Sequence, residues 1–254
     1  AFVDVPEGST PISGMVGYGL GMMKSLFPGN IEMIGHSGDT AGFSSFAFHL
    51  PAQGITVSGV VNDMDPSGIL FRVLLPGLKV LMPEFEPVLP ELDPASSALQ
   101  GLLDQQVQEQ DIFGMAMAVR LADGAVIGKA SGYSNPSGDE AWSVDTVSAI
   151  GSVTKTYTGV IVMQLIEEGK LSLDDTIDTW FPQQPNGERV TIRMLLSHTS
   201  GIANYISGEN VMEGKWNKKW APMDLVAEAN KIGPVGEPGS REANYSNTGY
   251  ILLG

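Results

Sequence analysis

Residues 150–159 read IGSVTKTYTG, and the stretch continues through VIVMQLIEEGK to Lys170. Val153, Tyr157, Val160, Ile161, Met163, Leu165 and Ile166 give it a broad apolar surface at helical spacing, and Glu167, Glu168 and Gly169 supply a helix stop. Ser152 falls in the first turn of this helix. Lys155, three residues on, lies on the same face about one turn above. Two readings share that local structure. In one, Ser152 is an N-cap serine, the commonest role of a serine at a helix start, and Lys155 is a solvated helix lysine. In the other, Ser152 is a nucleophile and Lys155 its base. Serine and lysine three apart occur by chance in many chains, so the remaining residues have to separate the two.

The chain has 254 residues, 43% of them apolar and 17% charged. That is enough for a core in one large domain or two intimate lobes. A formal charge of −15 argues against nucleic acid and against anionic membrane surfaces as partners. Cysteine is absent, which excludes disulfides, thiol catalysis and zinc–thiolate sites. Three histidines (His36, His49 and His198) and no HExxH pattern give no basis for a metal site. The most apolar run, GILFRVLLPGLKVLMP at 68–83, is interrupted by Arg72, Pro76 and Lys79, so no membrane span is predicted. The chain begins with Ala1 rather than Met and shows no signal peptide, as expected of a processed or excised product.

From Gly17 to Asn62 the pattern is β. YGLGMM (18–23), IEMIG (31–35), FSSFAFHL (43–50) and ITVSGVV (55–61) are separated by PGN, by GDTAG and by a turn at 51–54. Short turns between consecutive strands imply an antiparallel sheet. Residues 67–82 read as an apolar helix divided at Pro76-Gly77. PEFEPVLPELDP (83–94), with four prolines and four acids, reads as a linker. Beyond it SSALQGLLDQQVQEQ is an amphipathic helix capped by Ser96 or Ser97. GMAMAVRLADGAVIGKASGY (114–133) is a hairpin turning at Asp123-Gly124. Short helices follow at TIRMLLSHTSG (191–201) and PMDLVAEANK (222–231). The predicted fold class is α/β (α+β): an antiparallel sheet flanked by helices, plus a helical region over 152–254.

A serine hydroxyl is a poor nucleophile at neutral pH and needs a base within hydrogen-bond reach. The GxSxG elbow of a Ser-His-Asp site is absent. Lys155 can serve if burial lowers its pKa, and amide groups at a helix start can steady a developing oxyanion. A proton relay to the leaving group is offered by YSN at 245–247, where tyrosine has an exchangeable proton and asparagine both donor and acceptor. A strand wall for an extended substrate is offered by IGHSGDTAGF at 34–43. His36 could also cap a strand end or pair with Asp39. His198 in SHTSG reads as a structural imidazole tying a loop to the helical lobe, and His49 as a surface residue. Asp174, Asp175 and Asp178 read as a solvated turn, and the twelve methionines as core filling.

SVTK, YSN and HSG together resemble the three active-site motifs of the serine β-lactamase and D-alanyl-D-alanine carboxypeptidase superfamily. The similarity is strongest to the branch with class C β-lactamases, serine carboxypeptidases, D-aminopeptidases and β-lactamase-like carboxylesterases. GSVTKTYTGVIVMQLIEEGKLSLDDTI, VTIRMLLSHTSGI, and GYGLGM ahead of GHSGDTAGF add to it. The resemblance implies a β-lactamase/transpeptidase-like fold in which Ser152 is acylated, Lys155 is its base partner and Tyr245 relays the proton. It implies that Asn247 holds the substrate's amide side chain, and that His36, Ser37 and Gly38 line the strand wall. It places the oxyanion hole at the backbone N–H groups of Ser152 and Asp39. It further implies acyl-enzyme hydrolysis without metal or cofactor, a small-molecule or peptide substrate, and a periplasmic or secreted location. His36, where class C β-lactamases usually have lysine, tilts the resemblance toward the peptidase, aminopeptidase or esterase groups.

The motif order departs from the family, in which SxxK and YxN precede the strand motif. Here HSG comes first. Residues 1–82 resemble a family C-terminal portion and 96–254 an N-terminal one, joined by the linker at 83–95, the two forming one catalytic domain. A helical stretch that the family places between YxN and the strand motif is missing. Two explanations fit: a circularly permuted, shortened enzyme, or a piece spanning the junction of two tandem copies. The second expects a complementary chain or copy to supply the helical part. Three functions compete: hydrolysis of D-amino-acid amides, peptidoglycan-like peptides or β-lactams; hydrolysis of small acyl esters by the same residues; and a catalytically incomplete binding or structural remnant.

Overall fold

The structure, a computed structural model, describes residues 2–5, 15–27, 30–40, 42–62, 74, 77–78, 92–110, 112–135, 137–208 and 219–254. The described residues form eight strands: β1 (Val3–Asp4), β2 (Met15–Gly19), β3 (Met22–Phe27), β4 (Ile31–Thr40), β5 (Phe43–Leu50), β6 (Ile55–Val61), β7 (Gly114–Arg120) and β8 (Val126–Gly132). Their order in the sheet follows their order in the chain. The chain falls into two compact units: the described residues of 25–154 form one, apart from 1–24 and 155–254, which form the other.

In the unit of 25–154, β4 to β8 form an antiparallel meander, with Ser37 opposite Phe46, Phe46 opposite Gly59, and Gly59 opposite Met117. The strands form because their residues alternate. On β5, Phe46, Phe48 and Leu50 are buried while His49 is exposed. Helix α1 (Leu92–Gln110) covers this face with Leu99 and Leu103, which join Met33, Val57, Met117 and Val119 in one core. It is pinned to β8 by Gln100 donating to the Ala130 carbonyl (2.9 Å) and by Ser131 donating to Asp104 (2.6 Å). The hairpin at 114–133 turns as predicted, with Leu121 N–H donating to the Ala125 carbonyl and Gly124 at φ 93°.

The unit of 1–24 and 155–254 holds the β1–β2 pair, in which Val3 faces Tyr18, and helices α2 (Thr154–Glu167), α3 (Ile192–Leu196), α4 (Pro222–Ile232) and α5 (Asn247–Leu253). Thr191 caps α3 by accepting from the Met194 N–H, and Pro222 opens α4, where its missing N–H costs nothing. Gly169, at φ 70°, stops α2 as its sequence predicts. Val162, Ile177, Leu195, Leu196, Val226 and Leu252 form the core.

Four local expectations change. YGLGMM is not one strand but two strand ends joined at Leu20-Gly21, both left-handed (φ 53° and 80°), the backbone of a tight hairpin connection. The HSG strand runs to Thr40, so GDTAG is mostly strand rather than separator, because β5 pairs with it as far as Phe43. Helix α1 starts at Leu92, which leaves Ser96 and Ser97 inside it rather than at its cap; Pro94 is tolerated because first-turn N–H groups have no intrahelical partner anyway. Much of α2's apolar surface is open: Tyr157, Val160 and Ile161 are exposed, while Gly159 and Val162 are buried. Of the linker expected over 83–95, residues 83–91 lie outside the described residues and 92–95 are the start of helix α1 instead. The helix at 67–82 also lies outside the described residues, except for the helical residues Leu74, Gly77 and Leu78. Among the described residues no helix is long and apolar enough to cross a membrane.

Candidate active site

Ser152 sits in a single 3₁₀ turn, Gly151–Val153, that leads into α2. The cap position of this turn is Ile150, which makes no side-chain capping bond. The segment rests directly on the backbone of β4, and two glycines permit it. A Cβ on Gly38 would stand 2.3 Å from the Ile150 carbonyl oxygen and 2.5 Å from the Ser152 nitrogen. A Cβ on Gly151, at φ 47°, would stand 2.7 Å from the Asp39 nitrogen. Ser45, opposite Gly38 in the register, locks the contact by donating to the Ile150 carbonyl at 2.7 Å. The backbones of Ser152 and of Gly38–Asp39 therefore approach without intervening side chains, as two converging backbone donors require. Gly38→Ala is expected to force this segment off the strand, destabilising the protein by about 1–3 kcal/mol and cutting reactivity at Ser152. An unchanged thermal melt would show that the turn does not depend on that approach.

The other strand residues are placed as follows. His36 is buried, with Nδ1 directed at the Ser37 carbonyl, and Ser37 is buried beside it. Asp39 is exposed and accepts from the Ser44 hydroxyl at 2.8 Å.

In the other unit, Lys155 is buried (7% exposed) and its Nζ donates to Asn247 Oδ1 at 2.5 Å. The ammonium lies 4.8 Å from the Tyr245 ring centroid and 5.6 Å from that of Tyr250. The oxygen and the two ring faces favour the charged form, but burial opposes it and wins, drawing the Lys155 pKa down to about 8. Tyr245 is half-buried and lines a cavity of about 530 Å³ together with Tyr18, His198, Arg241 and Glu242. Asn247 opens α5, and its amide nitrogen donates to Asn204 at 3.3 Å, so both ends of the side chain are engaged.

His49 is exposed, as its sequence position predicts. His198 ties the YSN stretch to its loop: its carbonyl accepts from the Asn244 N–H (2.7 Å) and its Nδ1 from the Ser246 N–H (3.2 Å). Tyr18 and Tyr250 are the residues sequence reasoning missed. Tyr18 donates to the Tyr250 hydroxyl, which donates to the Leu196 carbonyl at 2.9 Å; burial raises both pKa values, that of Tyr18 well above the ordinary tyrosine range. Both flank motifs already singled out, in GYGLGM and in YSNTGY, yet nothing in their spacing indicates that they meet.

The chain is similar to several known proteins. A penicillin-binding-like protein of Bacillus subtilis (strain 168), PbpX, is 31% identical over 153 residues, which is 59% of this chain and 37% of that protein. The D-amino acid amidase of Ochrobactrum anthropi SV3, solved with L-phenylalanine, superposes with a TM-score of 0.55 at 29% identity over 61% of this chain and 42% of that one. A D-stereospecific amidohydrolase from Streptomyces sp. gives a TM-score of 0.51 at 30% identity over 65% of this chain and 48% of that one. The chain spans less than half the length of each of these three. The β-lactamase family model matches residues 99–254, which include SVTK, SHTSG and YSN. With that match over more than half its length, and with the antiparallel sheet and helices of its solved relatives, the chain belongs to the β-lactamase family of hydrolases.

Proposed function

We propose that this chain carries the catalytic residues of a serine hydrolase that works through an acyl-enzyme on D-amino-acid amides, peptidoglycan-like peptides or β-lactams. The observation that carries the reading is Lys155: a buried lysine with a pKa near 8, held by Asn247 and three residues after a serine. A desolvated lysine one helical turn from a serine has the pKa and position that a general base needs. In this reading Lys155 Nζ takes the proton as Ser152 Oγ bonds to the substrate carbonyl carbon. The Ser152 and Asp39 N–H groups receive the oxyanion. As the carbon–nitrogen bond breaks, Tyr245 gives its proton to the leaving nitrogen and takes one back from the Lys155 ammonium, and water then cleaves the ester to regenerate Ser152. Asn247 orients Lys155 and has one amide hydrogen left for the substrate. HSG, ahead of SVTK in the chain, serves as the strand wall through its backbone, as in a circularly permuted relative of the class C branch. Two amide-cleaving solved relatives favour an amide over an ester substrate.

The test is the intact mass of the folded protein after incubation with a β-lactam and, separately, with a fluorophosphonate, followed by assay on D- and L-phenylalanine amide. One adduct mapping to Ser152, with faster turnover of the D-amide, is expected. A folded sample that takes up neither reagent and cleaves neither amide would favour the catalytically incomplete reading. Tyr245→Phe should lower turnover by about 10²–10⁴-fold, the range for a lost proton-transfer group; unchanged turnover removes Tyr245 from the mechanism.

A further inference from the structure

His198 is buried (2% exposed) in a left-handed backbone conformation, φ 58°, that few residues other than glycine and asparagine adopt readily. It holds the chain on both sides of Tyr245, by its carbonyl on the Asn244 N–H and its Nδ1 on the Ser246 N–H. Its ring packs on Tyr245 at 4.3 Å and on Tyr18 at 4.4 Å between centroids. Ser246 is held a second time, through its hydroxyl, by the Ala203 carbonyl at 3.1 Å.

We propose that His198 is a positioning residue for Tyr245 and Asn247, active only while its Nδ1 is an acceptor, so that protonating His198 releases the YSN stretch. A hydrogen bond from the Ser246 N–H requires a lone pair on Nδ1; an imidazolium sets two donors head to head there. The titratable groups facing the ring among the described residues are Tyr18, Tyr245 and Tyr250, the last with its ring centroid 5.2 Å away, and the Lys155 ammonium stands 4.8 Å from the Tyr245 centroid and 5.6 Å from that of Tyr250. Among the described residues that line the adjoining cavity, the charged ones are Glu242 and Arg241.

The role rests on the serine hydrolase reading, and it adds a second ionisation to it. Lys155 must lose a proton to act, which makes the rate rise one decade per pH unit below about 8. A second required deprotonation steepens this to two decades per unit at any pH low enough to protonate His198 Nδ1. His198→Asn is the informative variant: asparagine tolerates the left-handed backbone and offers Oδ1 where Nδ1 stood, but does not titrate. His198→Gly keeps the backbone and deletes the acceptor.

Fluorophosphonate labelling of Ser152 as a function of pH, together with ¹⁵N spectra of histidine- and amide-labelled protein, provides the test. The wild type should show the two-decade limb and His198→Asn only the one-decade limb. His198→Gly should label on the order of 100-fold more slowly, and His198→Asn should recover most of that loss. At neutral pH the spectra should show the His198 proton on Nε2. A single-decade limb in the wild type, His198→Gly labelling at the wild-type rate, or a proton on Nδ1 overturns the proposal. If the wild type does not label at all, the hydrolase reading fails separately. The spectra then decide the positioning role: Tyr245 and Ser246 amide signals that move as His198 titrates support it, and signals that stay fixed overturn it.

Discussion

Ser152→Ala should abolish the β-lactam and fluorophosphonate adducts and lower turnover on the order of 10⁶-fold, as loss of a serine nucleophile does, while the protein stays folded. The contrast with an ordinary helix-start serine is what makes the result decisive. A capping hydroxyl satisfies an orphan N–H, and its removal costs about 1 kcal/mol of stability. Here the cap position belongs to Ile150, and the 3₁₀ turn is held by its own backbone, by Val153 N–H on the Ile150 carbonyl, and by Ser45 from β5. Ser152→Ala should leave the fold intact, with a smaller loss of stability than a lost helix cap. Intact-mass spectrometry and a thermal melt on the same sample check both halves. An adduct that persists in the variant would move the nucleophile elsewhere. A melt lowered by about 1 kcal/mol with the adduct retained would identify Ser152 as a cap after all.

Lys155→Met should divide function from stability. Methionine is close in length, stays apolar in the buried site and cannot accept a proton, so labelling of Ser152 should fall by about 10²–10⁴-fold or more. The same change should stabilise the protein at pH 7. With the native pKa near 8 against about 10.5 for an exposed lysine, the charged form is disfavoured in the folded state by about 3 kcal/mol; loss of the bond to Asn247 returns part of that, leaving a gain of about 1–2 kcal/mol. The sign follows from the protons bound. Between about pH 8 and 10.5 the unfolded chain holds a proton on Lys155 that the folded chain has given up, so wild-type stability rises across that window and the variant's does not. Urea melts at pH 7 and pH 10 measure this directly. A variant less stable than wild type at pH 7, with no difference in pH dependence, would show that Lys155 is a structural cation.

Much of this protein was legible in its residues before any contact was known. Alternation marked β5 and β6 at their observed bounds, Asp123-Gly124 marked the hairpin turn, and Thr191 and Pro222 marked helix starts, because each of these signals acts within a few residues. The motifs SVTK, YSN and HSG were visible for the same reason: their chemistry depends on residue type at fixed short spacing. The failures also have a local cause. YGLGMM looked continuous because Leu20, a residue that pays a strain cost at positive φ, occupies a turn position normally read from glycine or asparagine. Helix α1 began earlier than its serines suggested because Pro94 is a breaker only beyond the first turn.

What the sequence by itself determined is the inventory: an antiparallel sheet with helices, a serine–lysine pair at a helix start, and a tyrosine and an asparagine two residues apart. What only the tertiary structure decided is the state of those groups. That Lys155 is buried against Asn247 and two tyrosine rings, that Gly38 and Gly151 let two backbones touch, and that His198 holds both sides of Tyr245 all follow from contacts between residues tens of positions apart. Desolvation, backbone approach and hydrogen-bond direction are properties of that surrounding protein, and no short window of residues contains them.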